Sequence, residues 1–117
     1  IMYKILVVDD DDKTRNIFRQ TLEPLNYEVT ETSSGKNVLQ LISENEFSVI
    51  FLDILMDEQE GLETIRQIRE QSLIPVIMMS CDEEYLAISK ELGANHLMSK
   101  PLDLNEIIQQ CNKYTSV

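Results

Sequence analysis

Positive charge is scarce in this chain: ten lysines and arginines stand against 21 aspartates and glutamates, a formal net charge of −11. That balance argues against direct binding of a nucleic-acid backbone, which takes a basic surface able to release counterions. Long apolar runs are missing too. No stretch approaches the roughly 18 residues of a membrane-spanning helix, and no basic segment followed by an apolar one reads as an export leader. Cysteine is limited to Cys81 and Cys111, with neither metal-ligand spacing nor the density of a disulfide framework, so both are expected to be reduced and the setting cytoplasmic. The single histidine, His96, sits where a turn enters a short strand and reads as structural. Repeats, linkers and low-complexity tracts are also absent. Met2 reads as a natural start with Ile1 as a remnant before it, although a segment of a longer protein would look the same. The 117 residues are expected to form one domain, 1–117, with a core that needs no disulfide or structural metal.

What the chain does have is a series of apolar runs that stop on polar residues. Val49 to Leu52 is unbroken and ends on Asp53, as suits a strand buried on both faces of a parallel sheet. Tyr3 to Val8 ends in the same way on Asp9 and Asp10, Val76 to Met79 ends on Ser80, and a short run over 95–99 ends at Lys100-Pro101. Tyr27 to Thr32 alternates as a further strand. Between them, helical spacing is expected over 13–25 with Ile17, Phe18, Thr21, Leu22 and Leu25 inward, and Asp11 or Asp12 as N-cap. Further helices are expected over 36–45, 62–71, 83–92 and 102–113, the fourth closed by Gly93 and the last with Leu104, Ile107, Ile108 and Cys111 inward. A loop is expected over 57–61.

Five strands alternating with five helices predict an α/β fold, a doubly wound (βα)5 layer with a parallel five-stranded sheet in the flavodoxin-like order 2-1-3-4-5. In that order the first and third strands are neighbours at the switch point. Asp9, Asp10 and Asp53 should therefore meet at the carboxyl edge, with Ser80 and Lys100 arriving beside them. Three carboxylates so close repel one another, and a divalent cation relieves this; Mg2+ suits a few carboxylates completed by water and phosphate oxygens. The same set could carry phosphoryl chemistry, with a carboxylate as nucleophile, a lysine neutralising charge and a hydroxyl donating to an equatorial oxygen. Each residue alone has a plainer reading: Asp9 to Asp12 as a cap run, Ser80 as a turn residue, Lys100 as a solvated charge. Their coincidence at one edge favours the site.

With Lys4-Ile5-Leu6-Val7-Val8-Asp9-Asp10, Phe51-Leu52-Asp53, Val76-Ile77-Met78-Met79-Ser80 and Lys100-Pro101 in place, the chain resembles a bacterial response-regulator receiver domain from end to end. The resemblance implies that Asp53 accepts a phosphoryl group from the phosphohistidine of a sensor histidine kinase or phosphotransfer protein, the domain catalysing its own phosphorylation and dephosphorylation without being an enzyme in the ordinary sense. It implies that Asp10, Asp53 and the Leu55 backbone carbonyl ligate Mg2+, with Asp9 acting largely through water on the metal. Ser80 would bond a phosphoryl oxygen and Lys100 would pair with the phosphoryl group or Asp53, altering contact with an output domain or protein.

Three positions depart from the family pattern. Asp57 stands where the family usually has proline, although the following glycine is kept as Gly61; Cys81 replaces the usual Ala or Gly; and Leu97 occupies the switch position that often carries Tyr or Phe. Tyr85 reads as surface packing, and a last helix without arginines gives little support to a charge-paired dimer. Two other functions are compatible with parts of the pattern: a pseudo-receiver that serves as an unphosphorylated interaction module, suggested by Asp57 and Leu97, and a haloacid-dehalogenase-like phosphatase with Asp10 as nucleophile, since Asp10-Asp11-Asp12-Lys13-Thr14 fits D-x-D-x-T.

Overall fold

The computed structural model describes residues 2–56 and 60–116; Asp57 and Glu58, with the departure noted at Asp57, lie outside the described residues. Five strands run in the chain as β1 (Tyr3–Val8), β2 (Tyr27–Thr32), β3 (Phe47–Asp53), β4 (Val76–Ser80) and β5 (His96–Ser99). The intervening helices are α1 (Asp12–Leu22), α2 (Val38–Glu44), α3 (Gly61–Arg69), α4 (Glu83–Glu91) and α5 (Leu104–Thr115). All strand pairs are parallel, in the order 2-1-3-4-5, the expected doubly wound sheet.

Strand alternation divides the core in two. Ile5, Val7, Val49, Phe51, Ile77, Met79 and Met98 pack with Phe18 and Leu22 of α1 and Ile107 and Cys111 of α5. Their immediate neighbours Leu6, Val8, Ile50, Leu52, Val76 and Met78 pack with Val38, Ile65, Ile68 and Leu86 of α2, α3 and α4. Continued past the strand ends, the alternation puts Asp9, Asp53 and Lys100 on the α1/α5 side, in step with Val7, Phe51 and Met98. Ser80 and Leu97 fall on the α3/α4 side, in step with Met78. The register sets Val8 opposite Leu52 and Asp53 opposite Met79, so the acidic ends of β1 and β3 lie at one level.

Caps fix where the helices begin. Asp11 accepts from Lys13 N–H, Asp82 from Glu84 and Tyr85 N–H, and Asp103 from Asn105 N–H, each satisfying donors that the first helical turn leaves open. The last cap starts α5 at Leu104 rather than at 102. The first helix is also shorter than its periodicity suggests: α1 ends at Leu22 and a 3-10 turn over Glu23–Leu25 follows. Pro24 has no N–H to continue an α-helical ladder, and Asn26 turns the chain into β2 with φ 69°. Ile17, Leu25 and Leu104, expected to face inward, are 38%, 49% and 49% exposed. Their spacing matches the buried stripe, but they sit at its margins, beyond the reach of the sheet. Gly93 closes α4 with φ 109°, as expected.

Candidate functional site at the carboxyl edge of the sheet

Asp9 leaves β1 fully buried, and Asp53 ends β3 only 4% exposed. Asp10 is on the open side. One carboxylate oxygen from each of Asp9, Asp10 and Asp53 lies within 4.8 Å of the others. Lys100, immediately beyond β5, reaches Asp9 Oδ2 at 2.8 Å and Asp53 Oδ1 at 3.3 Å. It thus spans both buried acids rather than Asp53 alone.

Burial first, and then the Asp9 charge, push the Asp53 carboxyl up to about 6 from its ordinary 3.8, against the opposing pull of Lys100. Burial also works against the Lys100 ammonium, yet the Asp9 hydrogen bond and the Asp53 charge outweigh it and hold Lys100 above the usual lysine value. One ammonium thus compensates two buried carboxylates incompletely, and a third carboxylate stands beside them. Clustered hard oxygen donors with uncompensated negative charge are the donor set that suits Mg2+.

Asp9 is fixed through four groups. Its N–H donates to the Thr32 carbonyl at 3.1 Å, its Oδ1 accepts from Asp11 N–H at 3.0 Å, and its Oδ2 accepts from Lys100. Its carbonyl accepts from Arg15 Nη1 at 2.7 Å. Asp11 in turn accepts from the Thr14 hydroxyl at 2.8 Å, and that bond, followed by the Lys13 N–H, holds the Asp11 carboxyl below its ordinary range.

The end of β3 is held by main-chain bonds, from Ile54 N–H to the Met79 carbonyl at 3.0 Å and from Gly61 N–H to the Ile54 carbonyl at 2.8 Å. Gly61 is pressed so closely on this turn that a Cβ there would lie 2.3 Å from the Asp53 carbonyl oxygen and 2.7 Å from Ile54 Cα. Leu55, whose carbonyl the resemblance assigns to the metal, follows immediately with its side chain exposed.

Ser80 is buried at the end of β4, and its hydroxyl oxygen accepts from Asp82 N–H at 3.0 Å. Its carbonyl accepts from Lys100 N–H at 3.0 Å, tying the ends of β4 and β5 together. Leu97 lies away from the charged group, opposite Met78 in register and half-buried against the α2/α3/α4 core. Cys81 is exposed, whereas Cys111 is buried and its thiol pushed up to about 12 by desolvation. His96 pairs with Glu106 at 2.8 Å, a contact between β5 and α5 in keeping with a structural role. Neither Arg15 nor Asp82 was among the residues expected at this edge. Asp82 carried a findable signal, an acid one residue before a helical stripe; Arg15 carried none, because the group it meets on Asp9 is a backbone carbonyl.

The family model described as "Response regulator receiver domain" matches residues 5–112. The transcriptional regulatory protein SrrA of Staphylococcus aureus is 31% identical over 107 residues, covering 90% of this chain and 44% of the relative. The chain therefore spans less than half the length of that curated relative. Among solved structures, chemotaxis protein CheY4 of Vibrio cholerae is 27% identical with a TM-score of 0.88, covering 97% of this chain and 99% of that one. The receiver domain of the Francisella response regulator 1452 is 29% identical with a TM-score of 0.88, covering 96% and 95%. A sheet in the order 2-1-3-4-5, an acidic cluster at its carboxyl edge and a match over nearly all of the sequence agree on one assignment: this chain belongs to the response regulator receiver domain family.

Proposed function

We propose that this receiver domain, residues 1–117, takes a phosphoryl group on Asp53 from the phosphohistidine of a sensor histidine kinase or phosphotransfer protein. The observation that carries the reading is the convergence of Asp9, Asp10 and Asp53 within 4.8 Å, with Lys100 spanning Asp9 and Asp53. An Asp53 carboxylate oxygen attacks phosphorus; the new O–P bond forms as the P–N bond breaks, and the bonding pair returns to the imidazole nitrogen. The carboxylate must be ionised to attack, and Lys100 favours that form against the burial that opposes it. As charge develops on the phosphoryl oxygens, Lys100 offers an ammonium and Ser80 a hydroxyl donor. Attack of water on phosphorus of the acyl phosphate breaks the Asp53 O–P bond and returns the carboxylate and inorganic phosphate, so the domain promotes both the addition and the removal of its own phosphoryl group.

Asp10, Asp53 and the Leu55 carbonyl would hold Mg2+, with Asp9 at one remove; when bound, the cation supplies charge neutralisation and alignment of the phosphoryl oxygens. Ser80 and Leu97 share the α3/α4 side of the sheet, and Leu97 stands at the switch position. Phosphorylation is read as a change in the surface offered to an output domain or protein, in the cytoplasm, without direct contact of this domain with nucleic acid. Among the described residues no helix is long and apolar enough to cross a membrane.

Incubation with Mg2+ and acetyl phosphate, followed by intact mass measurement, tests the reading. The expected result is one added phosphoryl group on the wild type and none on Asp53→Asn. An unmodified wild type, under conditions that modify another receiver, would favour an interaction module. Phosphoester turnover that survives Asp53→Asn but not Asp10→Asn would favour a phosphatase using Asp10.

A further inference from the structure

The Asp9 carbonyl belongs to the peptide that joins Asp9 to Asp10. A peptide is planar, so the direction of that carbonyl sets the plane from which the Asp10 Cα and carboxylate project. Arg15 Nη1 donates to it at 2.7 Å. The Arg15 side chain is only 13% exposed, and its guanidinium is held on its other edges by Glu31 of β2, Nε to Oε1 at 3.3 Å, and by Asp12. The second Glu31 oxygen is taken by Arg19 Nε at 2.5 Å. Asp10 itself is exposed, so the peptide behind it is what fixes its aim.

We propose that Arg15 is a positioning residue for the acid pair: by clamping the Asp9–Asp10 peptide, it sets the direction in which Asp10 meets a divalent cation, with β2 anchoring the clamp through Glu31. The inference rests on the reading of Asp9, Asp10 and Asp53 as a Mg2+ site. Charge and geometry predict opposite signs here. A guanidinium beside the site repels a dication, so an Arg15 that contributed only charge would, when removed, leave Mg2+ bound more tightly. An Arg15 that holds the peptide leaves it bound more weakly.

The test is a Mg2+ titration of the whole chain followed by the backbone amide shifts of Asp10 and Asp53, with thermal unfolding of the metal-free proteins recorded in parallel. Arg15→Ala is expected to weaken Mg2+ binding about tenfold. Arg15→Lys, which keeps the charge but not the planar fork that reaches acceptors on Asp9, Asp12 and Glu31, weakens it less. Arg19→Ala, which breaks the other contact to Glu31 without touching Asp9, changes it by less than about twofold. If Arg15→Ala does not fold, Arg15→Lys and Glu31→Gln carry the test, each expected to weaken binding. Binding as tight as wild type or tighter in the Arg15 variants overturns the proposal whatever their melting temperatures, and so does an equal loss in Arg19→Ala. A wild type whose amides do not respond to Mg2+ overturns the cation reading and this proposal together; a responsive wild type with unaltered Arg15 variants overturns this proposal alone.

Discussion

The two faces of the sheet and its carboxyl edge are built on opposite terms. On the faces, fully buried apolar side chains such as Phe18, Phe51, Leu52 and Ile65 meet one another, with the Phe18 and Phe51 rings 4.8 Å apart between centroids. Burial there lowers the free energy of the fold without reference to pH or ions. At the edge, burial raises it: Asp9 and Asp53 are as deeply enclosed as the core, share one ammonium, and leave Asp53 pushed up to about 6. The same β3 strand carries both situations, with Phe51 in the floor and Asp53 at the rim. The packed faces hold in place a charged group which would otherwise relax by separating, and the edge is left with clustered negative charge of the kind a divalent cation neutralises.

Substitutions that separate stability from chemistry test that contrast. The largest loss of stability is expected in the floor, where Phe51→Ala should cost about 3–5 kcal/mol in denaturant unfolding; the fraction that remains folded should still accept a phosphoryl group at Asp53. Next is the junction of floor and rim. Gly61→Ala would drive a methyl into the Asp53 carbonyl, costing roughly 1–3 kcal/mol as for other overpacked sites, and should slow phosphorylation as well because the Asp53 peptide must shift.

The rim should show the reverse sign. Asp53→Asn is expected to abolish phosphorylation while stabilising the metal-free protein at neutral pH by up to about 2–3 kcal/mol. The sign follows from the folded pKa of about 6 lying above the ordinary 3.8. Below the lower value both states are protonated and no penalty exists. Between the two values the unfolded chain ionises first, so the stability of the wild type falls as pH rises, and above the upper value the loss levels off. Unfolding free energies of wild type and Asp53→Asn, measured in metal-free buffer across that window, should converge at the acid end and diverge toward neutrality; parallel curves would mean that Asp53 carries no such penalty. The smallest effect is expected far from both regions. Arg66 pairs with Glu63 and Glu70 on the outer face of α3, and Arg66→Ala should change stability by less than about 1 kcal/mol and leave phosphorylation unchanged.

Particular residues mark how much was legible in advance. The strand ends at Asp9, Asp53 and Ser80 could be read directly because a strand buried on both faces has no use for a polar side chain until it leaves the sheet, whereas the end of β5, largely unburied, was marked by Lys100-Pro101. The strand order followed from short right-handed connections. Less could be read on the helices: Ile17, Leu25 and Leu104 share the spacing of the buried stripe but are left at the surface, since periodicity gives an angle around a helix and not the distance to which the neighbouring layer extends. The departure at Leu97 was visible as a missing ring. That Leu97 shares a side of the sheet with Ser80, while Lys100 points to the other, followed only from the register and the alternation of β4 and β5.

By itself, then, the sequence determined the α/β layer, the edge at which the charged side chains gather and the residue types delivered there, because hydrophobic periodicity and strand termination are local properties of the chain. Only the tertiary structure decided how those residues are held: that Lys100 bridges Asp9 and Asp53, that Ser80 is engaged by Asp82 N–H, that Gly61 must lack a side chain, and that Arg15 grips the peptide between the two acids. The Lys100, Gly61 and Arg15 contacts join separate segments while the Ser80–Asp82 bond is local, and all but the Lys100 bridge involve the backbone of one partner, which every residue has and which a sequence of side chains leaves unmarked.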